Sequence, residues 1–188
     1  MEIILASKSP RRREILELMG ITDFEVIPAS GEEKAVGLPP DETVKRIASG
    51  KAAAVYDEHK NALVIAADTL VYLGGAPLGK PKDEKDAHRM LRALSGREHA
   101  VYTGVCVMYA GKTLCESERT LVRFRALSDE EIDAYIATGE PMDKAGAYGA
   151  QGRGAVFIEG ITGDFFNVMG LPACRLDRML KETAPKGR

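Results

Sequence analysis

The 188-residue chain is short of several features that mark particular classes of protein. Its three cysteines are scattered without metal-type spacing, so we expect reduced thiols in a cytoplasmic protein. The net charge of −2 and a pI of about 6.0 favour neither general nucleic-acid binding nor binding to a membrane surface. No apolar run is long enough to span a bilayer, and the start "MEIILASKSP" lacks the layout of a signal peptide.

Several catalytic and cofactor motifs are also missing. The three histidines lack partners at the spacing of a zinc site or a nucleophilic triad, and no serine lies in G-x-S-x-G. Covalent catalysis is therefore not expected. "GAPLGKPKD" (75–83) is one residue short of a Walker A loop and has Pro81 where a magnesium-binding Ser or Thr would stand. The glycine-rich loop "DKAGAYGAQGRGA" (143–155) lacks the spacing and the strand-to-helix context of a dinucleotide fingerprint.

The apolar patterns predict one globular domain over residues 1–188, with 45% hydrophobic residues to form its core. We predict strands at 2–6, 24–29, 62–73, 98–109, 113–126 and 155–161. We predict helices at 10–19, at 39–58 with Asp41 as its cap, at 83–94, after the capping box of Ser128 and Glu131, and after Pro172. Because hairpins are as frequent as crossovers, these elements indicate an α/β or α+β fold with a mixed sheet.

The stretch "LASKSPRRREIL" (5–16) places three arginines where cations are disfavoured. Pro10 suits the first position of a helix, so Arg11, Arg12 and Arg13 fall in the first turn, beside the positive end of the helix dipole. Each cation there costs roughly 0.3–1 kcal/mol. Pairing with surface acids is one explanation. A phosphate site built from the dipole, free N–H groups and cationic side chains is the other.

Two further polar residues stand in apolar surroundings. Asp68 ends the apolar part of a central strand, where a lone carboxylate has to be paired, bind a metal or carry a raised pKa. An ordinary buried aspartate bonded to backbone is the alternative, but ligand clefts open at such strand ends, and we favour function. Lys51 shares the apolar stripe of helix 39–58, so it either reaches past that stripe to water or faces a ligand.

Four weaker candidates complete the inventory. Lys80 and Lys82 precede a helix and suit phosphate contacts, although a charged surface loop is the commoner explanation. Gln151 in the glycine-rich loop offers both a donor and an acceptor to a base edge. Glu32-Glu33 would supply a second carboxylate for a metal, unless both are solvated surface acids. This inventory suits a polyanionic, metal-bound substrate attacked by water, and a nucleoside triphosphate is the natural candidate.

Seven motifs, taken in order over nearly the whole chain, resemble the Maf family of nucleotide pyrophosphatases: "LASKSPRRREIL", "RIASGKA", "AADTLV", "LGKPKDEKDAHRML", "LSG", "FRALSDEEIDAYIATGEPMDKAGAYGAQG" and "NVMGLP". "DKAGAYGAQG" is similar to the dTTP/UTP pyrophosphatase branch and not to the branch acting on 7-methyl-GTP. Ala150 and Met169 replace the usual isoleucine and valine, and both changes keep the position apolar. Glu32-Glu33 stands where many members have Asp-Glu, and Glu33 itself matches.

The resemblance implies hydrolysis of the α–β phosphoanhydride of dTTP and UTP, giving the monophosphate and pyrophosphate. It implies Asp68 as proton acceptor, with Lys51 and Lys80 as further catalytic residues. We expect substrate to be bound by Ser7, Arg11, Arg12, Thr69, Lys82 and Gln151. With the resemblance in view, we expect Glu33 and Asp68 to hold Mg²⁺ or Mn²⁺, since an all-oxygen site suits hard cations.

The resemblance also implies an elongated α/β fold, with a mixed central sheet flanked by helices and a cleft between two lobes, as in ITPase-like proteins, and often a homodimer. Two alternatives remain for the function. One is a nucleotide-sensing regulator of septum formation without significant turnover. The other is an enzyme for a purine triphosphate or for 7-methyl-GTP. The sequence leaves open whether the physiological role is house-cleaning of nucleotide pools or control of division.

Overall fold

The computed structural model describes residues 1–30 and 37–183, and no helix among them is both long and apolar enough to cross a membrane. The strands are β1 (Ile3–Leu5), β2 (Glu25–Val26), β3 (Leu63–Leu73), β4 (Ala76–Leu78), β5 (Glu98–Tyr109), β6 (Lys112–Phe124) and β7 (Ile158–Thr162). The α-helices are α1 (Pro10–Leu18), α2 (Pro40–Tyr56), α3 (Glu84–Leu94), α4 (Asp129–Ile136), α5 (Phe165–Met169) and α6 (Ala173–Thr183). Short 3₁₀ helices occupy Glu140–Asp143, Ala145–Ala147 and Arg153–Phe157.

The described strands form one mixed sheet in the order β2-β1-β3-β5-β6-β7, with β4 paired to β3. Strand β1 runs parallel to both neighbours, with Ile4 opposite Glu25 and Val64. Strands β4 and β7 run antiparallel to β3 and β6. The mixture of crossovers and hairpins that the sequence predicts is therefore confirmed, as is the mixed α/β class.

Local signals fix most element ends, but several predictions differ from the structure, among them the strand predicted at 24–29, which comprises only Glu25–Val26. The predicted capping box is present at Ser128, whose side chain accepts from Glu131 N. Asp41 does not cap α2, because Pro39 is the cap residue and Asp41 lies inside the first turn. The strand predicted at 155–161 begins only at Ile158, since a 3₁₀ helix occupies the preceding residues. Helix α5 was not predicted, because five residues are too few to show a helical period.

Cys106 and Cys115 are joined by a disulfide, so the expectation of reduced thiols is wrong for this pair. They are nine residues apart in the chain, but the turn between β5 and β6 places them opposite each other, with their Cα atoms 4.2 Å apart. Spacing along the chain does not show such a cross-strand pair. Cys174 is a free, exposed thiol.

The chain divides into two compact units. Unit 1 comprises Met1–Asp68, Thr103–Glu118 and Gly170–Arg188. A Cβ on Gly104 of β5 would lie 2.3 Å from the backbone carbonyl of Val44 in α2, so glycine is required for this close approach of helix to strand. One core cluster of unit 1 consists mainly of small and branched side chains, together with Met108: Ile4, Ala6, Ala48, Ala52, Val55, Ala62, Val64, Ala66 and Cys106.

Unit 2 comprises Thr69–Tyr102 and Arg119–Met169. Helix α3 buries the apolar face that its sequence predicts, namely Ala87, Met90, Leu91 and Leu94. An aromatic cluster lies in the same core, where the ring centroids of Phe124 and Tyr148 are 4.7 Å apart and those of Tyr135 and Phe157 are 5.0 Å apart. These edge-to-face contacts hold the glycine-rich loop against the core through Tyr148.

Candidate active site

Asp68 and Lys51 form an ion pair in unit 1. Lys51 Nζ donates to Asp68 Oδ1 at 2.6 Å, and the two side chains are 28% and 20% exposed, respectively. Strand β3 is fully buried from Leu63 to Ala67, so Asp68 is the residue at which the strand becomes accessible. Lys51 reaches it from α2, where it lies between the buried residues Ala48 and Ala52 and so on the side of the helix that faces the sheet. The two residues that looked out of place in the sequence are therefore partners.

Arg12 ties the start of α1 to three other segments of unit 1. Its Nε donates to the carbonyl of Gly170 at 2.8 Å, and its Nη1 donates to Ser7 Oγ at 2.9 Å and to the carbonyl of Ala67 at 2.7 Å. The Ala67 carbonyl belongs to the residue directly before Asp68. Arg12 therefore fixes the end of β3 as well as the start of α1.

Two charged side chains near Arg12 influence its pKa. Burial lowers the pKa of Arg12 to about 10, the Asp68 carboxylate opposes that shift, and the Arg11 cation adds to it. The guanidinium is still fully protonated at neutral pH. Arg13 differs from its two neighbours, because its Nε pairs with Glu17 at 3.0 Å on the exposed side of α1. Of the three arginines, Arg12 lies within the influence of the Asp68 charge and Arg11 within that of Arg12, whereas pairing with a surface acid explains Arg13.

Ser7 lies next to Arg12 and is 8% exposed. Its hydroxyl oxygen accepts from Ser9 N at 3.2 Å and from Arg12, which leaves its own hydrogen to donate. Unit 1 thus brings together Ser7, Arg12, Lys51 and Asp68, with Arg11 close enough to influence Arg12. Glu33 lies outside the described residues.

The other predicted site residues belong to unit 2. Thr69 follows Asp68 directly and is half-buried, while Lys80, Lys82 and Gln151 are exposed. The N–H of Gly146 donates to the carbonyl of Gly79 at 3.0 Å, so the segment that carries Lys80 lies against the glycine-rich loop. Unit 2 therefore assembles two of the predicted binding segments from distant parts of its sequence.

A metal ion would find one suitable ligand in the described part of unit 1. Asp68 Oδ1 accepts from Lys51 Nζ, and the Asp68 side chain is 20% exposed. Magnesium commonly takes one or two protein carboxylates and completes its shell with substrate phosphates and water. No group of three or more His, Cys, Asp or Glu side chains is placed to hold a metal within residues 1–30 and 37–183. The residues present fit a metal that arrives with the substrate.

The sequence patterns did not reveal two features of these sites. The Gly170 carbonyl that accepts from Arg12 lies in "NVMGLP", and the positive φ of 114° at this residue suits glycine. Glu140, in unit 2, was given no role, although its carboxylate packs against the glycine-rich loop. The close spacing of Gly149, Gly152 and Gly154 was the available signal, because it indicates a backbone that something approaches closely.

Comparison with known proteins identifies the family of this chain. The model of the family described as Maf-like protein matches residues 2–183. The dTTP/UTP pyrophosphatase of Aquifex aeolicus is 52% identical over 182 residues, which are 97% of this chain and 95% of the relative. The dTTP/UTP pyrophosphatase of Thermococcus gammatolerans is 52% identical over 170 residues, covering 90% of each protein.

A solved structure shows the same fold at low sequence identity. A HAM1 protein from Coxiella burnetii is 17% identical, with a TM-score of 0.53 over 97% of this chain and 99% of that one. The family match over almost the entire sequence and the relatives at about half identity confirm the resemblance carried by the seven motifs. The chain belongs to the Maf family.

Proposed function

We propose that this chain is a nucleoside triphosphate pyrophosphatase, which hydrolyses dTTP and UTP to the monophosphate and pyrophosphate. Two kinds of observation support the proposal. Relatives at about 50% identity over most of their length are named dTTP/UTP pyrophosphatases. The observation that carries it on the structural side is the Asp68–Lys51 pair, set beside Arg12 at the accessible end of a buried strand.

In the proposed reaction, Asp68 takes the proton of the water that attacks the substrate. Lys51 holds Oδ1 of this carboxylate, so Oδ2 is the oxygen left to act. Ser7, Arg11 and Arg12 bind the phosphates, and the cations offset charge that develops as the anhydride bond breaks. Pyrophosphate then leaves as an already stabilised anion.

Unit 2 supplies the remaining proposed roles. Lys80 acts with Lys51 as a catalytic cation, and Thr69 and Lys82 bind the substrate. Gln151 reads the base, because its amide offers a donor and an acceptor at once. Glu33 and Asp68 are the proposed ligands of Mg²⁺ or Mn²⁺, which would neutralise phosphate charge when bound. Homodimer formation stays a prediction from the family resemblance.

The decisive experiment is product analysis with a panel of nucleotides. Wild-type protein is incubated with dTTP, UTP, CTP, 7-methyl-GTP and ITP, in Mg²⁺, in Mn²⁺ and in a chelator. We expect dTTP and UTP to give pyrophosphate and monophosphate with either metal, and no turnover in the chelator. Binding of dTTP without release of pyrophosphate would instead identify a nucleotide sensor. Preferred hydrolysis of another nucleotide would identify the other alternative.

Asp68→Asn tests the catalytic assignment. The amide keeps an oxygen for Lys51 but cannot take a proton, so we expect turnover to fall at least about 100-fold with nucleotide binding retained. Asp57→Asn is the matched control, because Asp57 also pairs with a lysine, Lys60 at 2.5 Å, but on the exposed surface of unit 1. Wild-type turnover by Asp68→Asn would refute the role of this carboxylate.

A further inference from the structure

The carboxylate of Glu140 gathers hydrogen bonds from the glycine-rich loop of unit 2. Its Oε2 accepts from Arg153 N at 3.0 Å, and its Oε1 accepts from Gly154 N at 3.4 Å and from the hydroxyl of Tyr135 at 2.8 Å. The Tyr135 hydroxyl in turn accepts from Gly149 N at 3.0 Å. Three backbone N–H groups of the segment 149–154 are therefore anchored to one carboxylate and one phenol. We call these two side chains the Glu140–Tyr135 anchor.

The glycines of this segment are needed to make room for the anchor. A Cβ on Gly152 would lie 2.3 Å from Glu140 Oε1, and one on Gly149 would lie 3.0 Å from the same oxygen. A Cβ on Gly154 would lie 2.9 Å from the Tyr135 hydroxyl. Side chains of this same unit therefore approach the backbone closely at all three glycines.

The protonation states of Glu140 and Tyr135 strengthen the hydrogen bond between them. Burial raises the pKa of Glu140, but the hydrogen bonds from Arg153 N, the Tyr135 hydroxyl and Gly154 N outweigh it, and the pKa is below its usual value. Burial, with a further contribution from Glu140, raises the pKa of Tyr135. At neutral pH a neutral phenol therefore donates to an ionised carboxylate, and hydrogen bonds to an ionised acceptor are roughly twice as strong as neutral ones.

Gln151 lies in the middle of the anchored segment, with Gly149 on one side and Arg153 on the other. Gln151 is exposed, and the backbone of this segment sets the position of its Cα and the direction in which its side chain leaves the chain. A side chain that distinguishes bases by one donor and one acceptor must be placed accurately against the base. A displacement of about 1 Å can lower the rate about 100-fold.

We propose that Glu140 and Tyr135 are positioning residues, which fix the backbone of residues 149–154 and so aim Gln151 at the base of the nucleotide. This inference rests on the proposed function, because it assigns the anchor a role in selecting that substrate. Neither residue touches the substrate in this account. Both act through Gln151.

A double-mutant cycle tests the proposal. Glu140→Gln keeps the size of the side chain but replaces an acceptor oxygen with a donor, and Tyr135→Phe removes the hydroxyl. We expect either change to raise the KM for dTTP about tenfold while kcat stays within about threefold. In a Gln151→Ala background, the same changes should raise KM by less than about threefold, because the residue through which they act is gone.

The outcomes separate this inference from the proposed function. If Glu140→Gln raised KM equally in the wild-type and Gln151→Ala backgrounds, its role would be merely structural and the inference would be overturned. A KM of Gln151→Ala equal to that of the wild type would overturn it as well. In either case, pyrophosphate release from dTTP by the wild type would leave the proposed function standing. Absence of that release would count against the proposed function and would remove the basis of the inference with it.

Two further variants make the cycle robust. Tyr135→Phe is the milder change and carries the test if Glu140→Gln fails to fold, as judged by circular dichroism. Glu159→Gln is the control for loss of a carboxylate in unit 2, since Glu159 pairs with Arg123 at 3.1 Å and both side chains are more than half exposed. It should leave KM and kcat at wild-type values.

Discussion

His99 makes the stability of unit 2 depend on pH. Its side chain is 3% exposed, and its Nε2 lies 2.8 Å from the hydroxyl of Tyr148. The other ring nitrogen, Nδ1, has no hydrogen-bond partner within the described ranges 1–30 and 37–183. The ring also packs edge-on against Phe124, with centroids 5.1 Å apart. A protonated ring would bury a charge there, and burial lowers the pKa of His99 from 6.5 to about 4.

The direction of the effect follows from which state binds the proton. The unfolded chain protonates His99 near pH 6.5, whereas the folded chain does so only near pH 4. Between these values the unfolded state holds more protons, so the free energy of unfolding decreases as the pH falls. The complete effect is about 3 kcal/mol, of which about 2 kcal/mol develops between pH 7 and pH 5. Above pH 7 this histidine has almost no effect.

Urea unfolding at pH 7 and pH 5, followed by circular dichroism, measures this contribution. His99→Gln keeps a polar group for Tyr148 but cannot become charged. Taking about 2 kcal/mol per molar urea as the slope, the wild-type midpoint should fall about 1 M further than that of the variant. His59→Gln, at a half-exposed turn of unit 1, should behave as the wild type. An equal pH-dependent loss in wild type and His99→Gln would refute the reasoning.

Two further predictions concern unit 1. Lys51→Met should reduce turnover about 100-fold, because it removes a cation from the candidate site. It should lower the free energy of unfolding by less than about 2 kcal/mol, because the ion pair with Asp68 is only partly buried. Full activity together with a large loss of stability would contradict this prediction. Gly104→Ala should lower stability by about 3 kcal/mol or more, because the new Cβ would meet the backbone of Val44. Gly160→Ala is the control, because its new Cβ would meet only a side chain, at 3.5 Å. Equal melting midpoints for Gly104→Ala and Gly160→Ala would disprove the clash.

The sequence predicted the elements whose signals are local. Hydrophobic spacing located α3, and the Ser128 capping box located α4. Each of these signals acts over a few residues, so no other part of the chain is needed to interpret it. The local signals were misleading where glycines and short elements crowd together, as before Ile158 and in α5.

The sequence indicated several residues of the candidate site but not the contacts between them. Asp68 and Lys51 were each conspicuous as a charge in an apolar pattern, yet nothing in the pattern paired them. For Arg12, the charge at a helix start indicated an anion site, whereas the structure shows much of its hydrogen bonding directed to carbonyls of the protein itself. Glu140 gave no signal, since an acid in a loop is ordinary until the backbone around it is seen.

The sequence by itself determined the family, the order of most helices and strands, and which charged residues were out of place. Only the tertiary structure decided which of them meet. Lys51 and Asp68 are 17 residues apart, and Arg12 and the carbonyl of Gly170 are 158 apart. Secondary-structure patterns carry information over one or two turns, whereas these contacts depend on how parallel strands and helices pack. Residues from distant segments meet at strand ends because the sheet brings those ends together.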